Sequence, residues 1–364
     1  MTGSGAAASR EWLAPFHVDL HLTLSVHRRG GGDPAYRVDA AGAIWRTCLT
    51  PEGPGTLRLT SRVAGTGNTG LAPAALAPAS LGPAAPSPAS LAPAAPSPVA
   101  LGPVALGPAA PSPVALGPGA GTLVTGQAWG PGAAWLLDTL PAQLGVHDDT
   151  TGFTAAHPAV AELALRHQGL RVGRTWRVFE ALVPAVLEQK VVGAEARRAW
   201  RILLGMFGTP APGPAPDGMR VFPPPRVWAR IPSWDWHRAG VEGVRARTII
   251  AAAGVAARLE QVLELGAAEA ERSLRSLPGV GPWTSAEVRQ RAAGDPDAVS
   301  VGDYNLPRAV GWTLAGRITD DAGMLELLAP FAGHRYRVTR LIELGGAVPP
   351  RRGPRLPIRE YRSL

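Results

Sequence analysis

The hydrophobic residues of this chain follow two spacings, and the change from one to the other divides the sequence. Before residue 150, apolar and polar positions alternate in short segments separated by proline and glycine. An alternation of period two is typical of half-buried β-strands, and short turns between them favour antiparallel pairing. We therefore predict an antiparallel β-sheet domain over residues 10–150. The segments that predict its strands are Val18–Val26, Ala43–Thr50, Gly55–Ser61 and Thr122–Trp129.

Beyond residue 150 the spacing becomes helical. Phe179, Leu182, Val183 and Val186 share one helical face, because residues three and four apart lie above one another on a helix. Further helices are predicted at Ala194–Met206, Arg245–Leu265 and Glu269–Leu277, and Leu325–Leu344 is predicted to be another helical region. We therefore expect an all-α domain over residues 151–346. The fold class is α+β, with the antiparallel sheet domain preceding the helical one.

A proline- and alanine-rich segment interrupts the predicted sheet. The pattern Leu-Gly/Ala-Pro-Ala-Ala-Pro-Ser-Pro occurs three times between Leu81 and Pro113, and no charged residue lies between Val63 and Leu137. Frequent proline removes the amide donors that strands and helices need. We predict a disordered insertion over residues 66–120. The alternative is a ligand for a proline-recognising partner.

The composition of the chain limits the kinds of molecule that it is expected to bind. The formal net charge is +8, which favours polyanions, and arginines are concentrated in a basic Pro/Arg tail at residues 347–364. The single cysteine excludes a four-cysteine zinc site or iron–sulfur cluster, and Lys190 is the only lysine. No apolar run is long enough to span a bilayer, and we see no signal peptide. We expect no membrane partner and a cytoplasmic, nucleoid-associated protein.

Two short motifs carry the candidate chemistry. Pro278-Gly279-Val280-Gly281 is predicted to join two helices, with Pro282 opening the second helix. Two glycines allow the backbone N–H groups to approach a phosphate beside the positive end of a helix. Asp303 follows twenty residues after Trp283. Taken alone, the first motif is also compatible with a plain helical hairpin, and Asp303 with a simple N-cap.

Together, these motifs resemble the helix-hairpin-helix DNA glycosylase superfamily, and most closely its 3-methyladenine DNA glycosylase II branch. The hairpin of that branch reads Pro-Gly-x-Gly-x-Trp-Thr-Ala, and its catalytic aspartate precedes a tyrosine. The corresponding residues here are Pro278–Ser285 and Asp303-Tyr304, at the same spacing. The resemblance covers residues 150–345 and, more loosely, the sheet. It implies a helix-hairpin-helix glycosylase domain that flips a damaged base out of double-stranded DNA and excises it.

The resemblance also implies a role for each candidate residue. Asp303 is the catalytic carboxylate, and bifunctional members carry a nucleophilic lysine where this chain has Trp283, so excision without strand cleavage is expected. No cofactor or metal is implied, and the protein is expected to be monomeric. The base pocket is assigned to Trp283, Tyr304 and Glu287; the phosphate-binding hairpin to Pro278, Gly279, Val280, Gly281 and Thr284; the DNA wedge to Lys190 and Val191; and possible DNA contacts to Gln189, Arg335 and Arg337.

Two departures from the branch leave the substrate open. The branch places an aromatic residue where Glu287 stands, and Glu343 is a second candidate acid of the pocket. Alkylated purines are expected from the resemblance, because aromatic pockets suit cationic bases. Oxidised or deaminated purines are an alternative, as is a non-catalytic protein that binds damaged DNA. We interpret His147, Asp148, Asp149 and His157 as a structural loop and not as a metal site.

Overall fold

The computed structural model describes residues 7–63, 121–347 and 349. The predicted insertion at 66–120 lies outside these residues, and so does the predicted tail, apart from residues 347 and 349. Within the described part the strands are β1 (Ala8–Ala14), β2 (Tyr36–Val38), β3 (Ile44–Thr50), β4 (Gly53–Val63), β5 (Thr122–Trp129), β6 (Thr209–Pro210) and β7 (Arg220–Val221).

The first five strands form one antiparallel sheet in the order β1-β5-β4-β3-β2, and β6 and β7 form a small separate hairpin. In β4 and β5 the residues Val63 and Thr122 are paired across the ladder, so the two ends of the interrupting segment lie opposite each other. The buried face carries Leu57, Leu59 and Val124, which pack in one core cluster with the leucines of the next two short helices.

The remaining regular structure of the described residues is helical. They are α1 (Leu20–Leu24), α2 (Ala133–Asp138), α3 (Leu140–Gln143), α4 (Pro158–Arg166), α5 (Val178–Leu187), α6 (Gly193–Phe207), α7 (Pro225–Trp228), α8 (Ser233–Ala239), α9 (Gly243–Gly254), α10 (Ala256–Glu260), α11 (Ala267–Arg275), α12 (Pro282–Val288), α13 (Leu306–Ala315), α14 (Asp321–Leu328) and α15 (Arg335–Gly345). The predicted α+β class, an antiparallel sheet followed by a helical region, is confirmed. The proposed domain boundaries stay a prediction.

Helix α5 is the central helix of the larger core, and every one of its residues except Glu180 is buried. Its first turn is held by Glu260, whose carboxylate accepts hydrogen bonds from the amides of Val178 and Phe179 at 2.7 and 3.2 Å. An acidic group at a helix N-terminus satisfies free amides and complements the helix dipole. The first turn of α5 is thereby fixed, and the helix ends at Leu187, directly before the turn that contains Lys190.

Two of the predicted elements were wrong. The segment Val18–Val26 is no strand: it contains α1 and a 3-10 turn, Ser25–His27. Asp19 caps α1 by accepting the Leu22 amide at 2.9 Å, and the residues that α1 buries follow helical spacing, which a short alternating pattern also resembles. The predicted helix Arg245–Leu265 is broken after Gly254 into α9, α10 and the 3-10 turn Gln261–Glu264.

In the described ranges, no helix is both long and apolar enough to cross a membrane.

Candidate active site

The Pro278–Gly281 hairpin joins α11 to α12, and its two glycines differ in backbone conformation and in surroundings. Gly279 has a φ of +86°, and a Cβ there would lie 2.0 Å from the Thr248 hydroxyl oxygen on α9. Gly281 has a φ of −93°, and a Cβ there would meet no atom of the described residues within 4 Å. Val280, between them, is buried and anchors the turn. The hairpin is therefore closed against the core at Gly279 and open at Gly281.

The Asp303 side chain forms hydrogen bonds both to α12 and to the start of α13. One carboxylate oxygen accepts the amides of Asn305 and Leu306 at 2.7 and 2.8 Å. The other oxygen accepts the indole N–H of Trp283 at 3.0 Å. Asp303 therefore caps α13 and is also oriented by Trp283 of α12. Its side chain stays partly exposed. A carboxylate held in this way can stabilise positive charge that develops beside it.

The predicted pocket residues are not equally enclosed. Trp283 is half-buried and contacts Asp303, and Glu287 is half-buried one helical turn further along the same face. Tyr304 is 77% exposed. The structure therefore brings Trp283, Glu287 and Asp303 to one place and leaves Tyr304 on the surface.

Glu287 is held on two sides. Ser300 donates its hydroxyl to one carboxylate oxygen at 2.7 Å, and Arg291 forms an ion pair with the other at 2.7 Å. Arg291 also donates to the backbone carbonyl of Val26 at 3.3 Å. The side chains of Glu287 and Arg291 are 12% and 11% exposed. The carboxylate is thus fixed beside a donor, and the pair is tied to the turn that follows α1.

Arg340 on α15 extends this polar surface. It donates to the Ser25 hydroxyl at 2.7 Å and pairs with Glu343 at 3.0 Å. Burial raises the pKa of the Tyr336 phenol on the same helix, against the opposing effect of Arg291 and Arg340. We use the term polar wall for Ser25, Val26, Glu287, Arg291, Ser300, Arg340 and Glu343.

The predicted wedge lies in the turn after α5. Lys190 is exposed and has a φ of +54°, and Val191 is half-buried. Gln189 donates from its side-chain amide to the Gly279 carbonyl at 2.9 Å and to the Thr284 hydroxyl at 2.8 Å. Sequence reasoning placed Gln189 near DNA but did not find its contact with the hairpin, because no local pattern relates residues 90 positions apart.

The expected DNA contact of Arg337 is wrong. Its side chain is 4% exposed and paired with the fully buried Asp148, whose carboxylate also accepts the Val172 amide at 3.0 Å. A phosphate cannot reach a guanidinium that is buried in this way. Arg335 is also paired within the protein, because its Nε donates to Asp297 at 2.9 Å.

His157, one of the residues interpreted above as a structural loop, caps α4 by accepting the Ala159 amide at 3.2 Å.

The chain is similar to known proteins in sequence and in structure. No family model matches the chain. Over 153 residues, 42% of this chain, it is 33% identical to a protein described as a probable bifunctional transcriptional activator/DNA repair enzyme AlkA in two strains of Mycobacterium tuberculosis. That match spans only 30% of the length of the curated relatives.

Solved structures match over nearly the whole chain. A 3-methyladenine DNA glycosylase from Archaeoglobus fulgidus aligns with a TM-score of 0.63 and 16% identity, over 92% of this chain and 97% of the other. The 8-oxoguanine glycosylase/lyase of Clostridium acetobutylicum aligns in its apo form with a TM-score of 0.60 and 10% identity, over 94% and 98%. Sequence and fold together confirm the resemblance to the helix-hairpin-helix DNA glycosylases.

Proposed function

We propose that this chain, which has the fold of the helix-hairpin-helix DNA glycosylases, is a monofunctional DNA glycosylase of base-excision repair. It hydrolyses the N-glycosidic bond of a damaged purine that has been flipped out of double-stranded DNA. The observation that carries the proposal is the hydrogen bond between Trp283 and Asp303, because it joins the phosphate-binding hairpin and the carboxylate in one site.

Asp303 performs the central chemical role. The sugar of the flipped nucleotide lies against its carboxylate, whose negative charge stabilises the oxocarbenium character that develops at C1′ as the base departs. The same carboxylate orients the water that attacks C1′. The amides of Asn305 and Leu306 and the indole of Trp283 fix the direction of both oxygens, so little reorganisation is needed during the reaction.

Excision proceeds without strand cleavage because no amine occupies the hairpin position that would attack the sugar. The residue after Pro282 is Trp283, whose indole N–H is committed to Asp303. Lys190, the only lysine of the chain, lies in the separate turn after α5. Borohydride treatment during the reaction is expected to trap no covalent protein–DNA adduct through a lysine, and strand cleavage is expected only after added alkali.

The substrate proposed from the resemblance is an alkylated purine. A second candidate, an oxidised or deaminated purine, is favoured by Glu287 and Arg291, which present a hydrogen-bond acceptor and a donor side by side. Such a pair complements the adjacent N–H and C=O groups of a neutral lactam base. A site built from paired polar groups discriminates strongly against bases that cannot pair with them.

The direct test is the release of bases from duplex DNA by Asp303→Asn. The asparagine oxygen can still cap α13, while the charge is lost, so we expect excision to fall by about 10²–10³-fold with DNA affinity retained. Base release is measured by chromatography across a panel of alkylated, oxidised and deaminated lesions.

Asp320→Asn is the matched control, because Asp320 caps α14 through the Gly323 amide at 3.0 Å and lies outside the proposed site. Equal excision by wild type and Asp303→Asn would refute the assignment. Lesion-selective binding without release of any base would identify a non-catalytic protein that binds damaged DNA.

A further inference from the structure

The turn that follows α5 is attached to three other parts of the protein through three consecutive residues. The carbonyl of Leu187 accepts a hydrogen bond from Arg245 on α9 at 2.8 Å. Glu188 forms an ion pair with Arg29 at 2.8 Å. Gln189 donates to the Gly279 carbonyl and to the Thr284 hydroxyl. These contacts fix the turn up to, but not including, Lys190.

Lys190 is exposed, and its backbone is left-handed, with a φ of +54°. A residue with a Cβ is seldom found in this conformation, which persists where the surrounding structure imposes it. The three preceding attachments supply that constraint. The side chain at position 190 therefore leaves the protein from a turn of defined shape.

We propose that Gln189 is a positioning residue that holds the Lys190 turn at a fixed distance from the Pro278–Gly281 hairpin. This inference rests on the proposed function, in which the hairpin binds a DNA phosphate and the Lys190 turn enters the duplex. Both hydrogens of the Gln189 amide are used, one on a backbone carbonyl of the hairpin and one on the buried Thr284 of α12. These two hydrogen bonds attach the Lys190 turn directly to the hairpin and to α12.

The fixed distance favours base flipping. Opening a base pair costs free energy, and a turn whose backbone is already fixed loses less conformational freedom when its side chain enters the gap than a mobile turn would. If the Gln189 contacts are removed, the hairpin still binds its phosphate and Asp303 stays in place. The defect should therefore appear in flipping from a duplex and not in the chemical step.

Gln189→Met is the variant of choice, because methionine keeps the length of the side chain and its apolar stem but has no donor. We first test it in the Asp303→Asn background, with a duplex that carries 2-aminopurine next to the lesion and becomes fluorescent when the neighbouring base is flipped out. Loss of two hydrogen bonds is expected to lower the flipping equilibrium about tenfold. Thr284→Val, which removes one of the two acceptors, is expected to lower it about threefold.

The matched control is Gln127→Met on β5. Gln127 accepts a hydrogen bond from Arg58 at 2.9 Å, so this variant also loses a side-chain contact, but in the sheet. It is expected to flip the base as the parent protein does. If Gln189→Met flips the base as well as the parent, or loses no more flipping than Gln127→Met, the inference is overturned.

A second measurement separates positioning from general damage to the protein. In the active protein, single-turnover base release by Gln189→Met should fall about tenfold from duplex DNA, while release of the same lesion from single-stranded DNA should stay within twofold of wild type. An equal fall on both substrates would mean a structural defect and would also overturn the inference. Failure of the proposed function is distinguishable, because the wild type would then release no base, while the fluorescence comparison still decides the role of Gln189.

Discussion

The hairpin and the polar wall meet at α12, which follows the hairpin and carries Glu287 of the wall, but they are constructed in different ways. The hairpin consists of a few consecutive residues, and its backbone is open at Gly281. The polar wall is assembled from segments that are far apart in the sequence: Arg340 contacts Ser25 across 315 positions, and Arg291 contacts Val26 across 265. One region is local and based on backbone groups, whereas the other is long-range and based on side chains.

The difference corresponds to what each region has to recognise. Every nucleotide presents the same phosphate, so a single local backbone shape serves for all DNA sequences. A damaged base differs from a normal one by a few atoms, and distinguishing them requires side-chain donors and acceptors in a particular arrangement. The proposed reaction can therefore be read from a short motif, while the lesion depends on contacts that only the fold reveals.

The largest effect that tests this comparison is expected at Gly279. Gly279→Ala places a Cβ against the Thr248 hydroxyl in a left-handed backbone, and we expect the free energy of unfolding to fall by about 2–4 kcal/mol. Urea denaturation measures this change.

Gly281→Ala is the control from within the same hairpin. Within the part of the chain that the structure describes, its Cβ meets no atom within 4 Å, so the free energy of unfolding should change by less than about 0.5 kcal/mol. Its affinity for duplex DNA should nevertheless fall, because the added methyl group lies on the open side of the hairpin. Full affinity in this stable variant would show that the hairpin does not approach the phosphate closely.

A smaller effect is expected at Glu287, and it concerns the choice of lesion. Glu287→Gln keeps the size of the side chain and removes its charge and its ion pair with Arg291. We expect release of neutral lactam purines to fall about tenfold relative to cationic alkylated purines. The measurement is the ratio of single-turnover rates on the two lesion classes, with Glu326→Gln, an exposed position on α14, as the control. If both rates change by the same factor, Glu287 does not select the base.

The last effect is confined to acid pH and is expected at His27, which ends the turn that supports the polar wall. Burial, followed by the charges of Arg46 and Arg291, lowers the pKa of His27 well below its usual 6.5. Its contribution to stability is therefore complete above pH 6.5 and is lost as the pH falls toward the pKa of the folded state. We expect the free energy of unfolding to decrease by up to about 1.4 kcal/mol per pH unit in that range.

His27→Gln tests the pH dependence, because glutamine keeps hydrogen-bonding groups but cannot be protonated. Its stability should change less between pH 7 and pH 5 than that of wild type, as measured by urea denaturation at each pH. His237→Gln, at an exposed histidine of α8, is the control. The same slope in wild type and His27→Gln would contradict the prediction.

The sequence predicted the parts of the molecule whose cause is local. Strands β3, β4 and β5 form at the segments that the sequence predicted, and burial alternates along most of β5. The resemblance assigned Trp283 and Asp303 to one site, but the hydrogen bond between them was not predicted. Predictions were wrong where the position of a side chain depends on a partner that is far away in the sequence. Arg337 looked like a surface cation, but Asp148, 189 positions away, holds it in the interior. The segment Val18–Val26 is too short for alternation and helical spacing to be distinguished.

The pairing of Val63 with Thr122 has a consequence for how the chain tolerates change. The 58 intervening residues begin and end on directly opposed positions of neighbouring antiparallel strands, where an ordinary β-hairpin loop would stand. The entropy of closing such a loop grows only slowly with its length, so the register of the sheet does not depend on how many residues are accommodated there. This junction is therefore a natural acceptor site for a grafted domain or an affinity tag, and a place where length can vary during evolution without disturbing the proposed active site.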